Sequence, residues 1–285
     1  MSPRERSLLG LSDRGFHRIG YVEWGSAAAE RTAVCVHGLT RNGRDFDPLA
    51  QSLAEAGWRV VCPDVVGRGR SDWLADPAGY GHPQYVADMA ALIARLDVER
   101  LDWIGTSMGG LIGMTLAAMP RSPIERLVIN DIGPFMPKEA LDRIAAYLGN
   151  APTFSDLTGL EAHLRDIHAP FGPLTDAQWA QMAAHSQRPV EGGLALHYDP
   201  AIAEAFGKPP FDDIELWPVW DRVTCPTLVL RGVDSDVLPA ETAAEMAERG
   251  PRAEVAVIED CGHAPALMDD GQIAVVRDWL SAGRS

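Results

Sequence analysis

The chain has 285 residues, 46% of them apolar, with 40 acidic against 25 basic side chains and a formal charge of −15. A chain of this length buries enough surface to hold a core without disulfide or metal staples, which excludes the stapled mini-protein scaffolds. Its acidic balance repels phosphate backbones and anionic lipid, so neither nucleic acid nor a membrane is an expected partner. Residues 1–20 contain no apolar h-region, and no run of about 18 apolar residues occurs, so the reading is a soluble, unexported, cytoplasmic protein. Cys35, Cys62, Cys225 and Cys261 are widely spaced and form no C-x-x-C pair. They are read as reduced, buried small hydrophobes, neither a disulfide framework nor nucleophiles.

Short runs rich in Val and Ile alternate with stretches of helical period, the pattern of a parallel sheet with crossover helices. In chain order the spacing predicts strands over 17–25 and 32–37, a helix over 48–56, a strand over 59–64 and a helix over 85–96. A strand over 101–106, a helix over 108–119 and a strand over 126–131 follow. From 134 to 220 the rhythm breaks: three helical periods and no strand are predicted. The helices cover 137–148, the amphipathic set Leu157, Leu160, Leu164 and Ile167, and a segment opened by a Thr175–Gln178 capping box. The alternation then resumes with a strand over 227–232, a helix over 239–249, a strand over 254–259 and a helix over 272–282. The expected architecture is α/β, with a mostly parallel sheet of about eight strands in a core formed by 1–133 and 221–285. Residues 134–220 form a helical cap, inserted after the sixth strand over the carboxyl edge of the sheet, where open α/β folds place ligands.

The sharpest chemical signal is Gly105-Thr106-Ser107-Met108-Gly109, between a predicted strand and a predicted helix. A residue in so tight a turn needs small neighbours two positions before and after it, because side chains there collide as the backbone reverses. The helix that follows aims free N–H groups at charge developing beside Ser107, the candidate nucleophile. A phosphate-binding loop is excluded by Leu111 and Ile112 after Gly110. A dinucleotide fingerprint at Gly67-Arg68-Gly69 is excluded by Asp72 where a third Gly is needed. No cofactor is implied.

His37-Gly38-Leu39, at a strand end, brings backbone close to that centre. The Leu39 and Met108 N–H groups are the expected oxyanion hole, with His37 organising its own loop. A serine needs an imidazole within hydrogen-bond reach and a carboxylate on the other ring nitrogen. His263, in the Gly- and Pro-containing loop 260–265, is the candidate base. His17, His82, His163, His168, His185 and His197 are expected at the surface or in the cap. No H-x-x-x-H spacing occurs, so no metal site is expected. Two strand ends supply carboxylates: Asp236 is the preferred acid, with Asp131 and Asp234 as open alternatives. The 64–72 loop reads as turn-building. Arg41, and the cap residues Phe135, Met136, Phe154, Trp179 and Met182, are candidate substrate contacts.

With His37-Gly38, Asp64-x-x-Gly67-x-Gly69-x-Ser71-Asp72, Gly105-x-Ser107-x-Gly109, the Asp236 loop and Gly262-His263 in this order, the chain resembles the α/β-hydrolase superfamily over nearly its whole length. The strings 37–42, 64–73 and Tyr198-Asp199-Pro200 are similar to capped bacterial carboxylesterases. The chain order Ser, Asp, His is that superfamily's order. One position departs from it: the usual slot for the acid, three residues after a Gly and four before a Pro, holds Ser235, and Asp236 is displaced by one. Some capped esterases take the acid from the end of the sixth strand, where Asp131 stands. The resemblance implies a cofactor-free serine hydrolase acting on small-molecule carboxylic esters through an acyl-enzyme. The alternatives are C–C bond hydrolysis of a vinylogous diketone, and a ligand-binding receptor on a hydrolase scaffold.

Overall fold

The computed structural model describes residues 2–150 and 152–282. Positions 1 and 283–285 of the expected core, and 151 of the expected cap, lie outside them. The chain opens with an antiparallel hairpin, β1 (Arg4–Ser12) and β2 (Gly15–Trp24), followed by β3 (Arg31–Val36), α1 (Asp47–Glu55) and β4 (Trp58–Pro63). Next come α2 (His82–Leu96), β5 (Leu101–Thr106), α3 (Met108–Ala117) and β6 (Ile124–Asn130). The segment expected as a cap contains β7 (Phe135–Met136), α4 (Lys138–Leu148), α5 (Leu157–Ile167), α6 (Asp176–Ser186), β8 (Gln187–Val190), β9 (Gly193–Leu196), α7 (Ile202–Phe206), β10 (Ile214–Glu215) and α8 (Trp217–Trp220). The chain closes with β11 (Thr227–Gly232), α9 (Ala240–Glu248), β12 (Glu254–Ile258) and α10 (Asp270–Ser281).

One eight-stranded sheet organises the molecule in the order β1-β2-β4-β3-β5-β6-β11-β12, antiparallel at β1, β2 and β4 and parallel from β4 onward. β3, β5 and β11 are buried without alternation because both faces are covered. α2 and α3 pack on one face, α1 and α10 on the other. Since β3 to β6, β11 and β12 run in one direction, the residues after each strand gather on a single edge: His37, Asp64, Ser107, Asp131, Ser235 and His263.

Two expectations are corrected here. β1 was not anticipated: an edge strand that exposes Leu9 and Leu11 and buries only Leu8 and Gly10 carries no apolar run to read. The segment 134–220, expected without strands, contains the two-stranded pairs β7·β10 and β8·β9. Strands of two to four residues are too short for a periodic signal. This segment is fastened to the sheet edge at defined points. Tyr80 Oη donates to Asp199 at 2.6 Å, the Gly69 and Asp199 N–H groups bond His197 and Gly67 carbonyls at 2.8 Å, and Gly262 N–H reaches the Pro170 carbonyl at 2.7 Å. Among the described residues no helix is long and apolar enough to cross a membrane.

Candidate active site

β5 ends at Thr106 and α3 begins at Met108, so Ser107 alone makes the reversal. Its backbone sits at φ 51° and ψ −115°, a conformation a non-glycine residue keeps only where its surroundings impose it, at about 1–3 kcal/mol. Ser107 N–H donates to the Asn130 carbonyl at 2.9 Å, and the Ser107 carbonyl accepts from Gly110 at 2.8 Å and Leu111 at 3.1 Å. The flanking glycines are required. A Cβ at 109 would lie 2.0 Å from the Val36 carbonyl oxygen, and one at 105 would lie 2.2 Å from that of Gly109.

His263, in the loop after β12, places Nε2 at 3.0 Å from Ser107 Oγ and Nδ1 at 2.8 Å from Asp131 Oδ2. Asp131 is the residue after β6 and is fully buried, at φ 58°. Its Oδ1 accepts from Gly232 N–H at 2.8 Å, and its Oδ2 also accepts from Ser235 Oγ at 2.6 Å. A carboxylate is acceptor-only, so Nδ1 carries the ring proton and Nε2 is free to accept from Ser107.

The preference for Asp236 at the imidazole is therefore corrected. Asp236 is 47% exposed and accepts from Arg143 Nε at 2.5 Å and Nη2 at 2.9 Å. Asp234 does not reach the ring either; its N–H bonds the Cys261 carbonyl. The loop after β11 turns Ser235 inward and its two neighbours outward. Ser235 Oγ is anchored by the Val237 and Leu238 N–H groups at 3.3 and 3.0 Å and donates to Asp131. The slot where the resemblance places an acid thus holds a donor to the acid on the adjacent strand. Asn130, not singled out in the sequence, ties the parts together, donating to Thr106 Oγ1 at 3.0 Å and to the Pro265 carbonyl at 2.8 Å. Its one visible signal is a polar residue ending an apolar strand.

His37 Nδ1–H donates to the Gly38 carbonyl at 2.7 Å while Nε2 accepts from Val65 N–H at 2.9 Å. Burial pushes its pKa down to about 3, so the ring is a neutral brace for the loop that carries Leu39. Arg68, within the 64–72 loop, is a fully buried cation that the sequence left as a turn residue. It donates from Nε to the Leu39 carbonyl at 2.9 Å and from Nη1 to that of Val66 at 2.7 Å, touches Met108 Sδ, and lies 4.9 Å above the Tyr85 ring. It therefore contacts both residues expected to form the oxyanion hole. Met108 is the first residue of α3, and its N–H lies in the first turn, where intrahelical partners are missing. Burial pushes the Cys225 and Cys261 thiols up to about 11 and about 12, away from thiolate chemistry.

Ser107 and His263 open into a pocket of about 710 Å³, its open mouth included. Leu39, Arg41 and Phe46, from the loop after β3, line one side, and Arg143, Ile144, Tyr147, Ile167, His168 and Phe171, from the 134–220 segment, line the other. Arg41 thus lies in the pocket lining. Phe135, Met136, Phe154, Trp179 and Met182 are not in the lining and are corrected as substrate contacts. Met136, Trp179 and Met182 are buried in the hydrophobic core, the Phe154 ring packs tilted at 42° against His163, and Phe135 pairs with Glu215. An apolar stripe reports that a helix face is covered, not what covers it. One histidine placement changes as well: His17 is buried against Asp88 at 2.9 Å, while His168, within the 134–220 segment, lines the pocket.

A family model described as an alpha/beta hydrolase fold matches residues 33–269. The chain is 49% identical to the 3-hydroxybutyrate-oligomer hydrolase of Cupriavidus necator over 98% of both chains. Among solved structures, a putative hydrolase from Rickettsia typhi superposes with a TM-score of 0.92 at 31% identity over 100% of both chains. An alpha/beta hydrolase from Novosphingobium aromaticivorans does so with a TM-score of 0.86 at 38% identity over 98% of both. With the family model spanning most of the sequence and the sheet, the Ser107 turn and the His263 loop arranged as described, the chain belongs to the α/β-hydrolase fold family.

Proposed function

We propose that this chain is a serine esterase that cleaves short linear esters of hydroxy acids, of the kind named for its Cupriavidus necator relative, oligomers of 3-hydroxybutyrate. The observation that carries the reading is the unbroken run of hydrogen bonds Ser107–His263–Asp131 at the floor of the pocket. Ser107 Oγ bonds to the ester carbonyl carbon as its proton passes to His263 Nε2. The C–O bond to the alcohol then breaks, and His263 returns the proton to the departing oxygen. Water repeats the sequence on the acyl-enzyme, releasing the acid and restoring Ser107. Asp131 holds the ring tautomer and offsets the imidazolium charge. The tetrahedral oxygen rests on the Leu39 and Met108 N–H groups, each worth about 3 kcal/mol to the transition state. His37 and Arg68 brace the backbone that presents them.

The reading is tested by incubating the wild type and Ser107→Ala with 3-hydroxybutyrate dimer and trimer, and with p-nitrophenyl butyrate, and following monomer and nitrophenol release. The wild type turns over all three and Ser107→Ala retains less than about one thousandth of the rate. Absence of wild-type turnover, or equal rates for the two proteins, overturns the reading. The two pocket arginines favour one second reading, hydrolysis of a C–C bond in a vinylogous diketone acid. Turnover of such a compound without ester turnover would select it.

A further inference from the structure

Several polar groups of the pocket have no part in the acyl-transfer steps. Arg41, in the loop after β3, donates from Nε and Nη2 to Asp45 at 2.7 Å each. Arg143, on α4, donates from the same two nitrogens to Asp236. In both pairs the carboxylate holds one edge of the guanidinium, and Nη1 makes no hydrogen bond among the described residues. Tyr147 Oη and the His168 ring line the same space and likewise have no hydrogen-bond partner among the described residues.

His168 is buried, and burial together with the Arg41, His163, His263 and Arg143 charges holds its pKa well below the ordinary value. Its ring is therefore a neutral donor and acceptor within a positive field. Guanidinium groups already fixed by a carboxylate behind them lose little side-chain freedom when a second anion arrives in front, the condition for tight and selective anion binding. One arginine belongs to the sheet edge and the other to the cap, so an anion held by both joins the two.

We propose that Arg41 and Arg143 form a carboxylate-binding subsite that takes the free acid end of the substrate, making the enzyme selective for linear esters that end in an ionised carboxyl group. The inference rests on the ester-hydrolase reading above and deepens it. A short oligomer held by its acid end has an ester bond within the same pocket as Ser107. An oligomer whose acid end is capped has no anion to offer, and a long polymer offers few ends per ester bond.

The test compares the 3-hydroxybutyrate dimer as free acid with the same dimer capped as its carboxamide. In the wild type, kcat/KM for cleavage of the internal ester is higher for the acid by roughly tenfold or more, the scale of a charge-assisted, bidentate contact, and the difference lies mainly in KM. That acid-to-amide ratio collapses toward one in Arg143→Met and in Arg41→Met. It is retained in Arg100→Gln, which removes an exposed charge at the opposite end of β5. Binding of the two dimers to Ser107→Ala by calorimetry reads the same preference without turnover, and adding Arg143→Met abolishes it. Equal turnover and equal binding of acid and amide overturn the subsite and leave ester hydrolysis standing. Selective binding of the acid with no release of monomer supports the subsite and overturns the hydrolytic reading.

Discussion

Replacing Asp131 by Asn changes one atom of the relay without changing its volume. Gly232 N–H donates to Oδ1 at 2.8 Å, a bond an amide oxygen still accepts, so the new Nδ2 faces His263 Nδ1 and Ser235 Oγ. An N–H in that position cannot accept from Nδ1–H. The ring proton moves to Nε2, which points at Ser107 Oγ from 3.0 Å and can no longer take the serine's proton. A tautomer switch of this kind lowers kcat by about 10⁴, or about 5.5 kcal/mol of barrier. Asp236→Asn removes an ion pair whose members are 39% and 47% exposed, a change worth about 0–1 kcal/mol, and lowers kcat by less than about tenfold. Initial rates on p-nitrophenyl butyrate, normalised by burst titration of Ser107 and accompanied by melting curves, measure both. An equal loss in the two variants, or Asp131→Asn within tenfold of wild type, refutes the assignment of the acid.

Ser235→Ala removes the donor to Asp131 and leaves the Val237 and Leu238 N–H groups without their acceptor. It lowers stability by about 1–3 kcal/mol and kcat by about tenfold, and a variant with native melting temperature and rate would show that this hydrogen bond is idle. His37 is held neutral by burial, at about 3 against 6.5 when free, so between those values the unfolded chain binds the proton that the folded chain refuses. Its contribution is complete above about pH 6.5 and is lost as pH falls toward 3, amounting to as much as about 3 kcal/mol by pH 4. Denaturant titrations at pH 7 and 4 should show a larger loss for wild type than for His37→Gln, and parallel losses would contradict this. Gly109→Ala drives a Cβ to 2.0 Å from the Val36 carbonyl, backbone that cannot yield without moving β3, and costs about 3 kcal/mol or more. A soluble Gly109→Ala protein with wild-type melting temperature and activity would be inconsistent with the packing of α3 on the sheet.

The parts legible in the sequence are those whose physics is local. Apolar runs of one strand's length, separated by helical periods, define a parallel sheet because strands covered on both faces tolerate few polar residues. The turn at Ser107 is legible because its geometry forbids side chains at 105 and 109. The capping box at Thr175 and Gln178 forms as its spacing implies. By contrast, β7 and β10 owe their existence to a partner far away in the chain, and β1 and the β8·β9 hairpin, though local, are an exposed edge and strands of four residues that leave no periodic trace.

The choice between two carboxylates belonged to tertiary structure alone. Asp131 and Asp236 both follow strands that pair in parallel, β6 and β11, and both therefore stand on the edge that carries Ser107 and His263. What separates them is the direction in which one residue of a loop points, inward for Ser235 and outward for Asp236, and spacing along the chain carries no information about that direction. The pocket lining follows the same rule. Periodicity identifies Trp179 and Met182 as covered, but only the packing of the 134–220 segment on the sheet brings Arg143, Tyr147 and His168 into one pocket with Arg41. The sequence by itself determined the scaffold and the turn at Ser107, since both are set by residues close in the chain. The carboxylate that meets His263 and the polar wall of the pocket were left to contacts between segments that only the folded sheet brings together.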